Sequence, residues 1–281
     1  MSEEEELARS LFGLRDWAIA MSETRQISPV APSSGATDGP LSGHPVVPYG
    51  IVEGLMNTAV DHALTLTDAC IRPPAAGETL PTISLTGADF SILRPVVEAL
   101  GWIIWILSGT TPEDRLTRCL GNLLIEQKHM DDLAAELAKA GQRDETLTKA
   151  AAGMRQLTEK VCANAGLDAE RIERKKKTSS SVMRSVASTI PGDSHRALRS
   201  YALASAHSHG QVATMLMNSV RSRRVDDYGS YIYAEPDTGL LLQVTRLILD
   251  LNKVAAGLFN AQGYSRSKRE AGSTRSFTPT R

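Results

Sequence analysis

Two charged side chains, Arg94 and Glu98, interrupt the most apolar stretch of the chain. They lie four positions apart in the sequence, so on a helix they share one face. Because a buried charge costs several kcal/mol unless it is paired, we expect the two groups to bind each other or partners on neighbouring helices. The pair is either a structural ion pair that ties helices together, or part of a polar cavity shared with histidines of a later helix.

Two histidines, His207 and His209, lie in a later stretch that is rich in small residues, ALASAHSHG. An imidazole can act as a general acid or base near neutral pH, and it can equally be a buried side chain bonded to a backbone carbonyl. Alternate positions on a helix point about 200° apart, so only one of the two can face the core. His207 is the better candidate, because Leu203 and Gln211 share its face and Arg199 lies close to that face.

The order of these residues along the chain resembles a known type of helical protein. The features that carry the resemblance are the helix with Arg94 and Glu98, a next helix that opens with Glu113-Asp114-Arg115, and a later helix with Tyr201, Ser205 and His207. Over roughly residues 49–263 the chain resembles a group of actinobacterial all-α proteins of unknown function, which in turn resemble the HEPN superfamily. HEPN proteins are helical bundles that often dimerise. Many are metal-independent ribonucleases of toxin–antitoxin or phage-defence systems, and others are inactive binding modules.

The resemblance implies a HEPN-like binding or regulatory protein of unknown ligand, linked to stress or phage defence. It implies a homodimer with an RNA or protein partner, and no cofactor or metal. The alternative is a metal-independent, toxin-like ribonuclease in which Arg199 and His207 are catalytic. These two residues lie about 80° apart around one helix, but more of the chain separates them than the HEPN signature usually allows. The polar network expected in the core comprises Arg94, Glu98, Tyr201 and Ser205.

Two other motifs could hold metal ions, and neither is complete. Glu126 and His129 form a Glu-x-x-His pair of the kind that di-iron bundles use, but such sites need a second pair and further carboxylates. The acidic stretch 131–136 and the stretch 218–226 resemble the magnesium motifs of class I terpene synthases. Those enzymes need an aromatic pocket, and aromatic residues make up only 5% of this chain. We therefore expect no metal site.

Basic residues cluster at 174–177, at 221–224 and in the C-terminal tail. They could contact phosphate groups. No aromatic platform for stacking bases is interleaved with them, and solvated surface charge explains them equally well. The net charge of the whole chain is −1, which gives no general electrostatic case for binding nucleic acid or membranes.

The elements that must position these residues are helices. The spacing of apolar residues predicts an all-α bundle of six to seven helices around a central helix at 87–109, which is apolar around its whole circumference. The predicted order is an amphipathic helix at 1–25, a Pro/Gly/Ser linker at 26–48, a bundle domain at 49–263 and a basic disordered tail at 264–281. The first helix is expected to be a mobile arm. Residues 170–181 are expected to form a frayed helix end and an exposed connection, 191–220 a helix, and 221–238 a loop with a short strand pair.

The location of the protein also follows from composition. The apolar run of the central helix is shorter than the roughly 20 residues that a bilayer requires, so we expect it in a protein core and not in a membrane. Cys70, Cys119 and Cys162 are odd in number, far apart and without metal-ligand spacing. This pattern is typical of reduced thiols in a cytoplasmic protein.

Overall fold

The computed structural model describes residues 2–23, 26–29, 49–72, 82–83, 89–192, 194–209, 219–226, 229–236, 238–262 and 264–267. Within these ranges the chain forms nine helices. They are α1 Glu3–Glu23, α2 Tyr49–Cys70, α3 Asp89–Leu107, α4 Pro112–Lys139, α5 Glu145–Ala165, α6 Ala169–Glu173, α7 Ser179–Ala187, α8 Ser194–Ser208 and α9 Thr238–Ala261. The protein is an all-α helical bundle, as the sequence predicts.

Short antiparallel strand pairs accompany the helices. The strands are β1 Gln26–Pro29, β2 Ile71–Arg72, β3 Thr82–Ile83, β4 Ser219–Asp226, β5 Gly229–Pro236 and β6 Tyr264–Ser267. β2 pairs with β3, and β4 pairs with β5 over eight residues each. β1 pairs with β6, so the start of the predicted linker lies beside the start of the predicted tail. The rest of both segments, residues 30–48 and 268–281, lies outside the described residues.

The core of the bundle is α3, which packs against α2, α9, α8, α7 and α4. Ile104 and Ile106 are both fully buried, although alternate positions on a helix point about 200° apart. A Cβ atom added at Gly101 would lie 2.6 Å from the sulfur of Met183, so glycine at this position lets α7 pack directly on α3. The expected buried central helix is therefore confirmed.

The length and composition of α3 would also allow it to cross a membrane. In the bundle, however, 67% of its most apolar 18-residue window is buried by the neighbouring helices. It is the only helix of this kind among the described residues. A helix that is apolar around its whole circumference needs cover of this kind in a protein core.

The first helix is not a mobile arm. Leu7, Leu11, Leu14 and Ala18 recur along one face of α1, and all four are buried to at least 99%. This apolar face packs against α2 and α9. The expectation of a separate arm was wrong, because an amphipathic helix must cover its apolar stripe and the long segment 24–48 allows it to reach the bundle.

The basic connection after α5 also differs from the prediction. Residues 170–181 are not simply an exposed connection, since α6 lies within them and α7 begins at Ser179. The Thr178 side chain caps α7 by accepting a hydrogen bond from the Ser181 amide. Val182, Met183 and Val186 are buried against the core. The predicted helix 191–220 ends at Ser208, and residues 210–218 lie outside the described ranges.

The position of α1 can be tested with one buried and one exposed residue of the same helix. Leu11 is fully buried and Ile19 is 42% exposed. We expect Leu11→Ala to lower the free energy of unfolding by about 2–5 kcal/mol, because it leaves a cavity in the core. Ile19→Ala should change it by less than about 0.5 kcal/mol. Urea denaturation of both variants measures the difference, and equally small effects would mean that α1 does not belong to the core.

Candidate functional site

A cavity of about 1000 Å³ lies beside the N-terminal half of α3. Its walls come from α2, α3 and α4, from the segment 176–180, and from Tyr201 of α8. Apolar side chains form one part of the wall, among them Leu55, Ala99 and Trp102. Charged and polar side chains form the rest. The cavity therefore combines an apolar surface with several groups that can form hydrogen bonds.

The expected pair, Arg94 and Glu98, lies on the wall of this cavity. The Arg94 Nε atom donates to Glu98 Oε1 over 2.9 Å, which confirms that the two charges bind each other. The Tyr201 hydroxyl donates to the same carboxylate oxygen, also over 2.9 Å. The side chains of Arg94 and Glu98 are 23% and 22% exposed, so they face the cavity and are not sealed inside the core. The network joins α3 to α8.

The environment of Tyr201 keeps its hydroxyl protonated. Burial raises the pKa of Tyr201, and the neighbouring Glu98 carboxylate raises it further. A hydrogen bond with Ser180 and the charge of Arg94 oppose the rise without cancelling it. Tyr201 is therefore a hydrogen-bond donor at neutral pH and cannot serve as a general base.

The histidine that reaches this network is His209. Its Nε2 atom lies 2.7 Å from Nη1 of Arg94. Because a guanidinium group can only donate, Arg94 is the donor and Nε2 of His209 the acceptor in this contact. His209 is exposed at the end of α8. The sequence favoured His207 as the histidine facing the core, but its side chain lies outside what the structure describes.

The other expected site residues do not join the network. Arg199 lies on an exposed position of α8 and forms no ion pair within the described ranges. Ser205 is half-buried, and its side chain has no hydrogen bond there; its backbone carbonyl accepts from the His209 amide over 3.1 Å. Of the predicted site residues whose side chains are described, the structure brings together Arg94, Glu98 and Tyr201.

The opposite part of the cavity contains residues that sequence reasoning missed. The segment Lys176–Ser180 crosses α4 at Gly121, where an added Cβ atom would lie 3.1 Å from the carbonyl carbon of Lys175. The neighbouring residue Asn122 also lines the cavity and is only 6% exposed. Its side-chain amide forms no hydrogen bond within the part of the chain that the structure describes. Because the residue lines the cavity, its amide is open to a group that enters there. The only signal in the sequence was a polar residue among apolar ones on α4.

A cluster of cations borders this segment around Trp105. The guanidinium group of Arg118 lies 3.9 Å from the centre of the Trp105 ring, and the ammonium group of Lys177 lies 4.2 Å from it. The carboxylate of Asp114 binds Arg118 at 2.8 Å and Lys175 at 2.9 Å. Burial raises the pKa of Asp114, but these two cations outweigh that effect and lower it overall.

Lys177 differs from its neighbours because no carboxylate binds it among the described residues. Its Nζ atom donates to Ser185 Oγ over 3.0 Å. Burial lowers the pKa of Lys177, and the charges of Arg118, Lys175 and Arg184 lower it further. Such surroundings favour an added anion, because it would relieve repulsion among the cations.

The metal motifs considered from the sequence lie in ordinary surroundings. Glu126 and His129 line the cavity, but no group of three or more His, Cys, Asp or Glu side chains in the described ranges is arranged to hold a metal ion. Asp131 binds Arg155 at 3.1 Å, and Asp132 binds Lys128 at 2.6 Å. These carboxylates therefore belong to ion pairs on the surface. Residue 218 of the second motif is not among the described residues.

Comparison with known proteins finds no matching family model, no matching curated protein and no matching solved structure.

The Arg94–Glu98 pair can be tested with a double replacement. We expect Arg94→Met alone to lower the free energy of unfolding by about 1–3 kcal/mol, because it leaves the Glu98 carboxylate with less compensation. Adding Glu98→Leu should recover part of this loss, since no charge is then left unpaired. Thermal or chemical denaturation of the two single variants and the double variant measures the coupling. A double variant less stable than both singles would show that the two charges do not compensate each other.

Proposed function

We propose that this protein is a cytoplasmic, HEPN-like binding or regulatory protein, and that the cavity is its ligand site. The observation that carries the proposal is the fixed network of Arg94, Glu98 and Tyr201 on the wall of a cavity of about 1000 Å³. Small-molecule sites in proteins typically have volumes of about 300–1000 Å³ and combine an apolar lining with a few well-placed polar groups. The cavity has both properties.

The state of the polar groups supports binding more than catalysis. Glu98 is engaged by both Arg94 and Tyr201, and Arg94 also contacts His209. A general base needs a free proton-accepting group whose pKa lies near the working pH, and Tyr201 has a raised pKa. Burial, together with the nearby Asp89 carboxylate, raises the pKa of Cys70 to about 12, so this thiol is a poor nucleophile. Fixed donors and acceptors of this kind are suited to recognition.

The remaining parts of the proposal depend on the resemblance and on composition. Cys70 and Cys162 are free thiols, as proteins of a reducing compartment usually have, which supports a cytoplasmic location. HEPN-like bundles often dimerise, so we propose a homodimer. A link to stress or phage defence has the same basis. The exposed position of Arg199 offers the ribonuclease alternative no support from geometry.

The binding site can be tested by closing the cavity at a glycine. Gly54 of α2 lines the cavity, and a side chain added there would meet open space. We expect Gly54→Trp to fill part of the cavity without disturbing the fold. A metabolite panel screened by thermal shift should contain compounds that stabilise the original protein but not this variant.

The matched control is Gly153→Trp on α5, an exposed helical glycine whose added side chain also meets open space but which lies outside the cavity. This variant should respond to the same compounds as the original protein. The proposal would be contradicted if no compound in the panel stabilised the original protein. It would also be contradicted if the same compounds stabilised Gly54→Trp to the same extent.

The ribonuclease alternative gives a different result in a direct assay. Purified protein incubated with RNA in the presence of EDTA should leave the RNA intact, and its expression in bacteria should not slow growth. His207→Ala should leave both results unchanged. RNA cleavage that disappears in a folded His207→Ala protein would establish the ribonuclease instead, with His207 as general acid or base.

A further inference from the structure

The N-terminus of α7 forms one wall of the cavity. The Ser181 amide is bound by the Thr178 side chain, and the Val182 amide by the Thr178 carbonyl. The amides of Ser179 and Ser180, in the same turn, have no hydrogen-bond partner within the described ranges. A helix of nine residues presents partial positive charge at this end, and its free N–H groups can bind an anion.

The buried amide of Asn122 is an independent indication of a ligand on the same wall. Only 6% of the surface of Asn122 is exposed, and the residue lines the cavity together with Lys176–Ser180. Gly121, the residue before it, lies against the backbone of Lys175 and Lys176. No protein group in the described ranges binds this amide, so its donor and acceptor are available to a ligand in the cavity.

The charges around the cavity indicate the sign of that ligand. The described lining contains four cations, Arg94, Lys128, Lys176 and Lys177, and two carboxylates, Glu98 and Glu126. Most of these cations already have acidic partners: Arg94 binds Glu98, Lys128 binds Asp132, and Lys176 binds Glu173. Lys177 has no acidic partner in the described ranges. Its ammonium group lies over the Trp105 ring and donates one of its three N–H groups to Ser185 Oγ, so N–H groups are left for an anion.

We propose that the cavity binds a soluble phosphorylated small molecule, with its phosphate group held by the Ser179 and Ser180 amides, Lys177 and Asn122. This proposal rests on the proposed function, since it names the class of ligand for the same cavity. The phosphate oxygens accept from the two backbone amides, the ammonium group and the Asn122 NH₂ group. A cavity of about 1000 Å³ is much larger than a phosphate group, and Leu55, Ala99 and Trp102 provide an apolar surface for the body of the molecule.

The test measures affinities by calorimetry at constant ionic strength. The probes are adenosine 5′-monophosphate, pyrophosphate and adenosine, with potassium chloride as the salt control. We expect adenosine 5′-monophosphate to bind more tightly than adenosine, because adenosine lacks the phosphate, and more tightly than pyrophosphate, because pyrophosphate lacks an apolar body. The proposal would be overturned if the three probes bound with equal affinity and gave no more heat of binding than the salt control.

Asn122→Leu separates a binding role from a structural one. In the absence of ligand it should melt at the same temperature as the original protein or higher, because it removes an unpartnered buried amide. It should nevertheless weaken binding of adenosine 5′-monophosphate by about tenfold or more. The matched control is Asn57→Leu on α2, which removes an amide whose oxygen is buried without a partner but lies outside the cavity, and this variant should bind normally.

Lys177→Gln tests the cation in the same way. It should weaken binding by about tenfold or more, whereas Lys149→Gln, on an exposed surface of α5, should not. Normal binding by Asn122→Leu and Lys177→Gln would overturn the phosphate site. If Gly54→Trp still blocks a ligand without phosphate in that case, the cavity is a binding site and only the ligand class is wrong. If no compound binds the original protein, both proposals fail.

Discussion

The apolar circumference of α3 has to be covered on every side, and the arrangement of the bundle follows from that requirement. Helices α2, α4, α7, α8 and α9 each take part of its surface. Removing an apolar side chain such as Leu100 or Ile103 from water contributes about 1.5–3 kcal/mol. Because α2 and α9 do not shield their own apolar faces completely, α1 packs across both of them. The N-terminal helix is thus part of the covering layer.

The same requirement explains where the cavity lies. Apolar side chains can seal the C-terminal half of α3, but Arg94 and Glu98 in its N-terminal half cannot be buried in this way. Their charges are balanced by each other and by the Tyr201 hydroxyl, and both side chains keep about a quarter of their surface exposed. The helices around them therefore leave a cavity in place of a continuous apolar contact. The ion pair and the candidate site have one physical origin.

Local patterns in the sequence predicted local features of the structure. The bounds of α1, the burial of α3 and the pairing of Arg94 with Glu98 all depend on residues within a few helical turns of one another. The docking of α1 could not be predicted, because the long segment after it leaves the position of the helix undetermined. The short helix α7 was missed because the lysines before it favour an exposed connection, although Thr178 and the buried Val182 and Met183 are helix signals.

Only the part of the candidate site that depends on local patterns could be predicted from the sequence. Arg94, Glu98 and Tyr201 were expected because two charges and a hydroxyl on apolar helices need partners. The importance of Asn122 depends on which groups surround it. The backbone of Lys175 and Lys176, which crosses α4 at the preceding residue Gly121, is more than fifty positions away in the sequence. A single asparagine in a helix carries no signal of burial without that contact. The contact between His209 and Arg94 was not predicted for the same reason, since it depends on how the end of α8 packs against α3.

Two glycines connect the packing of the core to the polar wall of the cavity. Gly101 allows Met183 of α7 to pack on α3, and Gly121 allows the backbone of Lys175 and Lys176 to cross α4 closely. The start of α7 is consequently fixed by the Met183 side chain on one side and by the backbone of Lys175 and Lys176 on the other, and not by its own charges. Exposed ion pairs hold side chains only weakly, so lysines in a free connection would not define a site. Close packing at the two glycines gives the basic segment a definite position, and this makes its free amides and Lys177 able to form a specific site.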